Sequence, residues 1–165
     1  MANRLGKNLK HYFFVYLVYF IYFANSVNFI YLVTTCYIGG FGMEWREYFI
    51  NSIPREQISK IYKSSLDDGT EQLQIITTTG YWIIASLRPK FGFTFTLNNP
   101  KGQSEIRVVK GTMYVFNAFQ IKEELKKRGF KWNRGLKAWY LDVSSVETKE
   151  LIDKIIEIMK LKGVL

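Results

Sequence analysis

The sequence predicts an α+β protein: an antiparallel β-sheet, then a C-terminal strand-helix-hairpin-helix unit, all preceded by an apolar segment of transmembrane length. Three observations predict it. Between Gln72 and Phe116, short runs rich in β-branched and aromatic residues are parted by Gly, Asn and Pro, which is the pattern of antiparallel hairpins. After Asn117, apolar residues recur at helical spacing in two stretches that flank one more pair of aromatic runs. From His11 to Met43 there is no formally charged residue.

Residues 1–42 form the first region. The run Tyr12 to Leu32, apolar apart from its tyrosines and the interruption Asn25-Ser26-Val27-Asn28, would measure about 31 Å as a helix, enough to cross a hydrocarbon core. Arg4, Lys7 and Lys10 precede it, and the cationic bias favours an inside amino terminus, with the basic remainder outside the cytoplasm. A second reading is a cleaved signal peptide ending at Ala24-Asn25-Ser26. A third is an over-extended start, because ordinary soluble composition begins at Met43 and the residues before it are rich in Phe and Tyr but poor in Leu. The chain is thus expected to be cytoplasmic if translation starts at Met43, and otherwise a single-pass membrane protein that meets the bilayer through residues 12–32.

Residues 43–111 form a mainly antiparallel β region. Pro54 stands where a helix N1 proline would, so Pro54 to Lys63 is expected to be a short amphipathic helix through Ile58, Ile61 and Tyr62. Asp67-Asp68-Gly69 marks a turn, Gln72 to Thr78 and Tyr81 to Leu87 form a hairpin about Thr79-Gly80, and Phe91 to Leu97 turns through Asn98-Asn99-Pro100-Lys101-Gly102 into Glu105 to Lys110. Residues 112–165 form a basic helix-hairpin-helix module. Met113 to Phe116 is a strand. Asn117 with Gln120 and Ser144 with Glu147 have capping-box spacing, opening one helix that Gly129 closes and another that runs to Lys162. Between them Phe130 to Asn133 and Lys137 to Val143 form a hairpin around Arg134-Gly135-Leu136.

Composition bounds the chemistry. Lys and Arg number 23 against 14 acids, a net charge of +9 that calls for a polyanionic partner. One cysteine, Cys36, and one histidine, His11, cannot build a disulfide framework, a zinc finger or a Ser/His/Asp triad. No catalytic residue and no cofactor is expected. No Gly-x-x-x-x-Gly-Lys-Ser/Thr phosphate loop occurs. Asp67, Asp68, Glu71, Glu105 and Asp142 are the carboxylates a metal-dependent nuclease would need, but no spacing groups them.

The positive charge is concentrated. Lys122, Lys126, Lys127, Arg128, Lys131, Arg134 and Lys137 stand against Glu123 and Glu124, a local +5, and Phe130, Trp132, Trp139 and Tyr140 are interleaved with them. Cations that neutralise phosphates beside rings that stack on bases are what single-stranded nucleic acid requires. The plainer reading is a solvated helix face, since Glu123 to Lys127 and Glu124 to Arg128 are favourable i, i+4 pairs. Lys122 and Lys126 lack such partners and are the better phosphate ligands. Lys127, Lys131, Arg134 and Lys137 complete the candidate set. Alternation puts Lys131 and Tyr140 opposite the tryptophans, which are expected in the core, leaving Tyr140 as the stacking ring.

Phe119-Gln-Ile-Lys-Glu-Glu-Leu-Lys-Lys-Arg-Gly-Phe-Lys-Trp-Asn, followed by Leu136-Lys-Ala-Trp-Tyr-Leu, resembles a small accessory module found with helicases, primases and topoisomerases. The likeness covers about residues 112–143, with Asn133 in place of the commoner Asp and Gly135 in place of a charged turn residue. It implies an auxiliary nucleic-acid-binding role. A second basic and aromatic stretch, Phe91 to Phe95 with Arg88, Lys90, Lys101, Arg107 and Lys110, is first of all a half-buried strand, with the capacity to extend such a surface. The expected function is therefore non-catalytic binding of nucleic acid, single-stranded or weakly sequence-selective. The alternatives are a membrane-anchored structural or interaction protein with a basic soluble domain, and a metal-dependent nuclease.

Overall fold

The computed structural model describes residues 44–165. The expectations for residues 1–42, including the membrane span at 12–32, lie outside the described residues. The α+β expectation holds. Eight strands form a single antiparallel sheet in the order β1-β2-β3-β4-β5-β6-β8-β7. The strands are β1 (Ile58–Ser65), β2 (Glu71–Thr77), β3 (Trp82–Arg88), β4 (Gly92–Asn98), β5 (Ser104–Val109), β6 (Thr112–Val115), β7 (Lys131–Asn133) and β8 (Ala138–Asp142). Among the described residues three α-helices accompany them, α1 (Trp45–Asn51), α2 (Lys122–Lys127) and α3 (Thr148–Leu161). β5 pairs with β6 across Lys110-Gly111, Ile106 opposite Val115 and Val108 opposite Met113, so the sheet is continuous from the β region before Gly111 into the basic module after it.

Alternation decides which face is the core. Leu73, Ile75, Ile83, Ala85, Phe95, Leu97, Ile106, Val108, Met113 and Val115 are buried, and their odd-even neighbours along each strand point to the other face. Both long helix faces pack on the buried side. Trp45 and Phe49 of α1 meet Phe93 and Phe95 of β4 at ring-centroid distances of 5.6 and 5.8 Å. Leu151, Ile152, Ile155, Ile158 and Met159 of α3 belong to the same cluster.

The helix expected over Pro54 to Lys63 is a strand instead. Pro54 leads into one 3-10 turn, Arg55–Gln57, and β1 follows at once. The helix-like spacing of Ile58 and Ile61 comes from a bulge: Ile58 faces Thr77 but Lys60 faces Ile76, so one extra residue breaks the two-residue period and lets both isoleucines touch the core. The β-branched residues gain a full ladder with β2 there, which outweighs the weak proline cue. A helix lies just upstream, at Trp45–Asn51.

Neither capping box forms. Asn117 adopts a left-handed φ of 49° and sends its amide to Glu105, 3.3 Å away, so a 3-10 turn, Phe119–Ile121, precedes α2. Ser144 donates its N–H and its hydroxyl to Asp142, at 2.9 and 2.7 Å, and Glu147 takes the cap position of α3. The helix stop is as expected. Gly129, at φ 83°, donates to Lys126 while Phe130 N–H reaches back to the Leu125 carbonyl, a Schellman closure sealed by buried Leu125 and Phe130.

Candidate nucleic-acid interface

The turn after β6, helix α2 and the β7–β8 hairpin enclose a groove of about 540 Å³. Phe119, Lys122, Lys126, Trp132, Lys137 and Trp139 line it. Each arrives there for a local reason. Left-handed Asn117 turns the chain so that Phe119 projects outward, and its ring is 79% exposed. Lys122 and Lys126, one helical turn apart, share the α2 face toward the groove. In the hairpin, Trp132 lies directly opposite Trp139, and their rings sit 5.4 Å apart at 58°. Asn133 Oδ1 accepts the Leu136 N–H at 2.9 Å, and Lys137 takes a left-handed φ of 50°, which closes the turn and carries its side chain to the groove.

The floor is anchored from below. Lys162, just past α3, lies 2.8 Å from Glu105 and donates to the carbonyls of Phe116 and Asn117. Glu105 also accepts from Asn99 at 2.8 Å. These contacts fix the strained Asn117 turn from which Phe119 extends.

The cations sort differently from the sequence pattern. Lys126 was expected to lack a partner, yet it pairs with Glu123 at 2.9 Å across i, i+3, while Lys127 takes Glu124 in the same way. Arg128 takes Glu124 at the expected four-residue spacing and also binds Glu157, so Glu124 serves two cations while Glu123 serves Lys126. Hydrogen bonds from Lys126, and from Lys127 and Arg128, hold the Glu123 and Glu124 carboxyls below their ordinary range, and hydrogen bonds to Glu124 and Glu157 push the Arg128 guanidinium up. These pairs are exposed, so each is worth little and yields readily to a phosphate. Lys122 stands over the Phe119 ring at 4.5 Å from its centroid.

Of the seven expected site residues, Lys122, Lys126 and Lys137 come together in the groove. Lys127 is on α2 but outside the groove lining, and Arg134 is exposed in the β7–β8 turn. Lys131 and Tyr140 are opposite each other on the far face of the sheet. Trp139 is in the core as expected, whereas Trp132 is 51% exposed. β7 is a three-residue edge strand, so the core ends at Trp139 and its neighbour is left at the rim. Phe119 was not singled out as a site residue; its signal was a phenylalanine just after a helix-cap asparagine, ahead of the apolar stripe.

Among the described residues no three His, Cys, Asp or Glu side chains lie close enough to hold a metal ion. Asp68 accepts the Thr70 N–H, Glu71 the Trp45 indole N–H, Glu105 binds Lys162 and Asp142 binds Ser144, so these carboxylates are dispersed among separate structural partners. No helix among the described residues is long and apolar enough to cross a membrane. No protein-family model, curated protein or solved structure matches the chain.

Proposed function

We propose that this chain is a non-catalytic nucleic-acid-binding protein that takes single-stranded nucleic acid in the groove between α2 and the β7–β8 hairpin. One observation carries the reading: two exposed aromatic rings, Phe119 and Trp132, share a recess with Lys122, Lys126 and Lys137. Large exposed rings are costly to leave in water, and rings offered beside ammonium groups suit a flexible polyanion with flat bases. Duplex is a poorer fit, because its stacked bases do not present faces to such rings. The resemblance of residues 112–143 to accessory modules of helicases, primases and topoisomerases supports the same reading.

The test is fluorescence anisotropy with a short single-stranded oligonucleotide across a salt series. Lys122→Ala, Lys126→Ala and Lys137→Ala should each lower affinity for all sequences alike and reduce the salt slope by about 0.7. Phe119→Ala and Trp132→Ala should each cost about 1–3 kcal/mol of binding and leave the salt slope unchanged. If all five variants bind as the parent does, the groove is not the site. Binding to anionic vesicles in preference to the oligonucleotide would overturn the reading in favour of a lipid surface.

A further inference from the structure

The strand register aligns one row of side chains across the face of the sheet opposite the core. From β4 to β7 it runs Thr96, Arg107, Tyr114, Tyr140, Lys131, each directly opposite the next. No helix among the described residues packs there, since α1, α2 and α3 all bury their apolar residues in the cluster on the other side. Tyr114 stacks on Phe116 at 6.5 Å between centroids, and the Arg107 guanidinium stands 5.9 Å over the same Phe116 ring. Arg107 and Lys131, exposed, flank the two tyrosines, and the row contains no carboxylate. From β5 to β7 three strand spacings separate them, about 14 Å.

Two features make this row a continuation of the groove. β7 is the last strand of the sheet, so Trp132 on the groove side and Lys131 on the open side are consecutive residues of one edge strand. The chemistry also repeats: rings able to stack on bases, bracketed by cations able to meet phosphates, with Thr96 as a neutral polar neighbour.

We infer that a single strand of nucleic acid held in the groove passes around the β7 edge and lies along Lys131, Tyr140, Tyr114 and Arg107, so that the protein has a bipartite site for one strand. This inference rests on the nucleic-acid reading of the groove. It requires that the open face matter only for strands long enough to reach it.

Anisotropy on the full chain with oligonucleotides of about 4 and about 12 nucleotides, lengths that bracket the site size of a small single-strand-binding domain, tests it. The double variant Arg107→Gln/Lys131→Gln should leave binding of the short strand unchanged while reducing the salt slope for the long one by about 1.4. Tyr140→Ala should weaken the long strand roughly five- to hundredfold and spare the short one. Phe119→Ala should weaken both. Because Tyr140 is half-buried, its variant is read only with thermal melting alongside, and the exposed Arg107/Lys131 pair carries the test if Tyr140→Ala melts early. Long-strand binding that ignores both open-face variants overturns the bipartite site and leaves the groove reading intact. Equal losses at both lengths also overturn it, since the two surfaces would then be one short site. If the parent binds neither oligonucleotide, the groove reading itself fails and this inference falls with it.

Discussion

Replacing Lys162 by Met removes the cation that ties Glu105 to the Phe116 and Asn117 carbonyls. Its ammonium group is 2.8 Å from Glu105 Oε2 and donates to the Phe116 and Asn117 carbonyls at 2.7 and 3.2 Å, so its three hydrogens meet three acceptors. Glu105 is as fully engaged, accepting from Asn99 and Asn117 at 2.8 and 3.3 Å. The two side chains are only 7% and 10% exposed, too little for water to replace either partner. Removing one member of such a pair leaves the other charge buried and costs roughly 3–5 kcal/mol. At about 3–5 °C per kcal/mol for a unit of this size, the Tm should fall by roughly 10–20 °C. Glu105→Leu alone should cost a similar amount. The double variant Glu105→Leu/Lys162→Met removes both charges together, so it should be more stable than the two single losses added, by a coupling of roughly 1–3 kcal/mol. Urea denaturation followed by tryptophan fluorescence measures all three. A loss below about 1 kcal/mol for either single variant, which is the worth of an exposed pair, would refute the argument that this charge is buried and structural. The Lys162→Met chain should also bind short oligonucleotides more weakly at temperatures where it remains folded, because the Asn117 turn that presents Phe119 loses two of its supports.

The two tryptophans of the hairpin should separate in a melting experiment: replacing Trp139, only 8% exposed, by Ala should cost roughly 3–5 kcal/mol, and replacing half-exposed Trp132 only about 1 kcal/mol. Gly111→Ala should destabilise by about 1–3 kcal/mol, since its φ is 70° and an added Cβ would lie 2.7 Å from Ser144 Cβ, whereas Gly163→Ala, at φ 69° with open space around it, should cost about 1 kcal/mol in the same assay. The Ser144 backbone and hydroxyl donors hold the Asp142 carboxyl below the ordinary aspartate range. Its contribution to stability is therefore complete above about pH 4 and is lost as the pH falls through the lower folded-state value, so Asp142→Asn should flatten the acid limb of the stability profile while lowering stability at neutral pH.

Much of the sheet was legible because its turns are chemically marked. Asp68-Gly69, Thr79-Gly80 and Asn99 with Gly102 each supply a left-handed glycine or a side-chain acceptor at the place where the chain reverses. Between those marks the strands alternate cleanly, as in Phe93, Phe95 and Leu97 buried against Thr94 and Thr96 on the open side. β1 escaped for the opposite reason. Its bulge at Ile58/Lys60 converts a two-residue period into a three-residue one, and periodicity alone cannot tell that from a helix. The capping boxes failed because each polar side chain had a better partner elsewhere: Asn117 the buried Glu105 on another strand, Ser144 its sequence neighbour Asp142.

The site was half legible, and the division has a physical cause. Composition locates charge along the chain, so Lys122, Lys126 and Lys137 could be found; it does not say which side of a sheet a residue reaches, and Lys131 and Tyr140 lie on the face that alternation, not composition, assigned to them. Strand alternation does say that, and it placed Trp132 and Trp139 together as they are. What alternation lacks is the position of the strand in the sheet. The same inward-facing tryptophan is core in β8 and half-exposed at the rim in β7, because burial needs a neighbour on both sides and an edge strand has one. Topology, set here by β8 inserting between β6 and β7, thus converts a residue that would stabilise the fold into one free to meet a ligand. The stability difference between Trp132→Ala and Trp139→Ala measures that conversion directly.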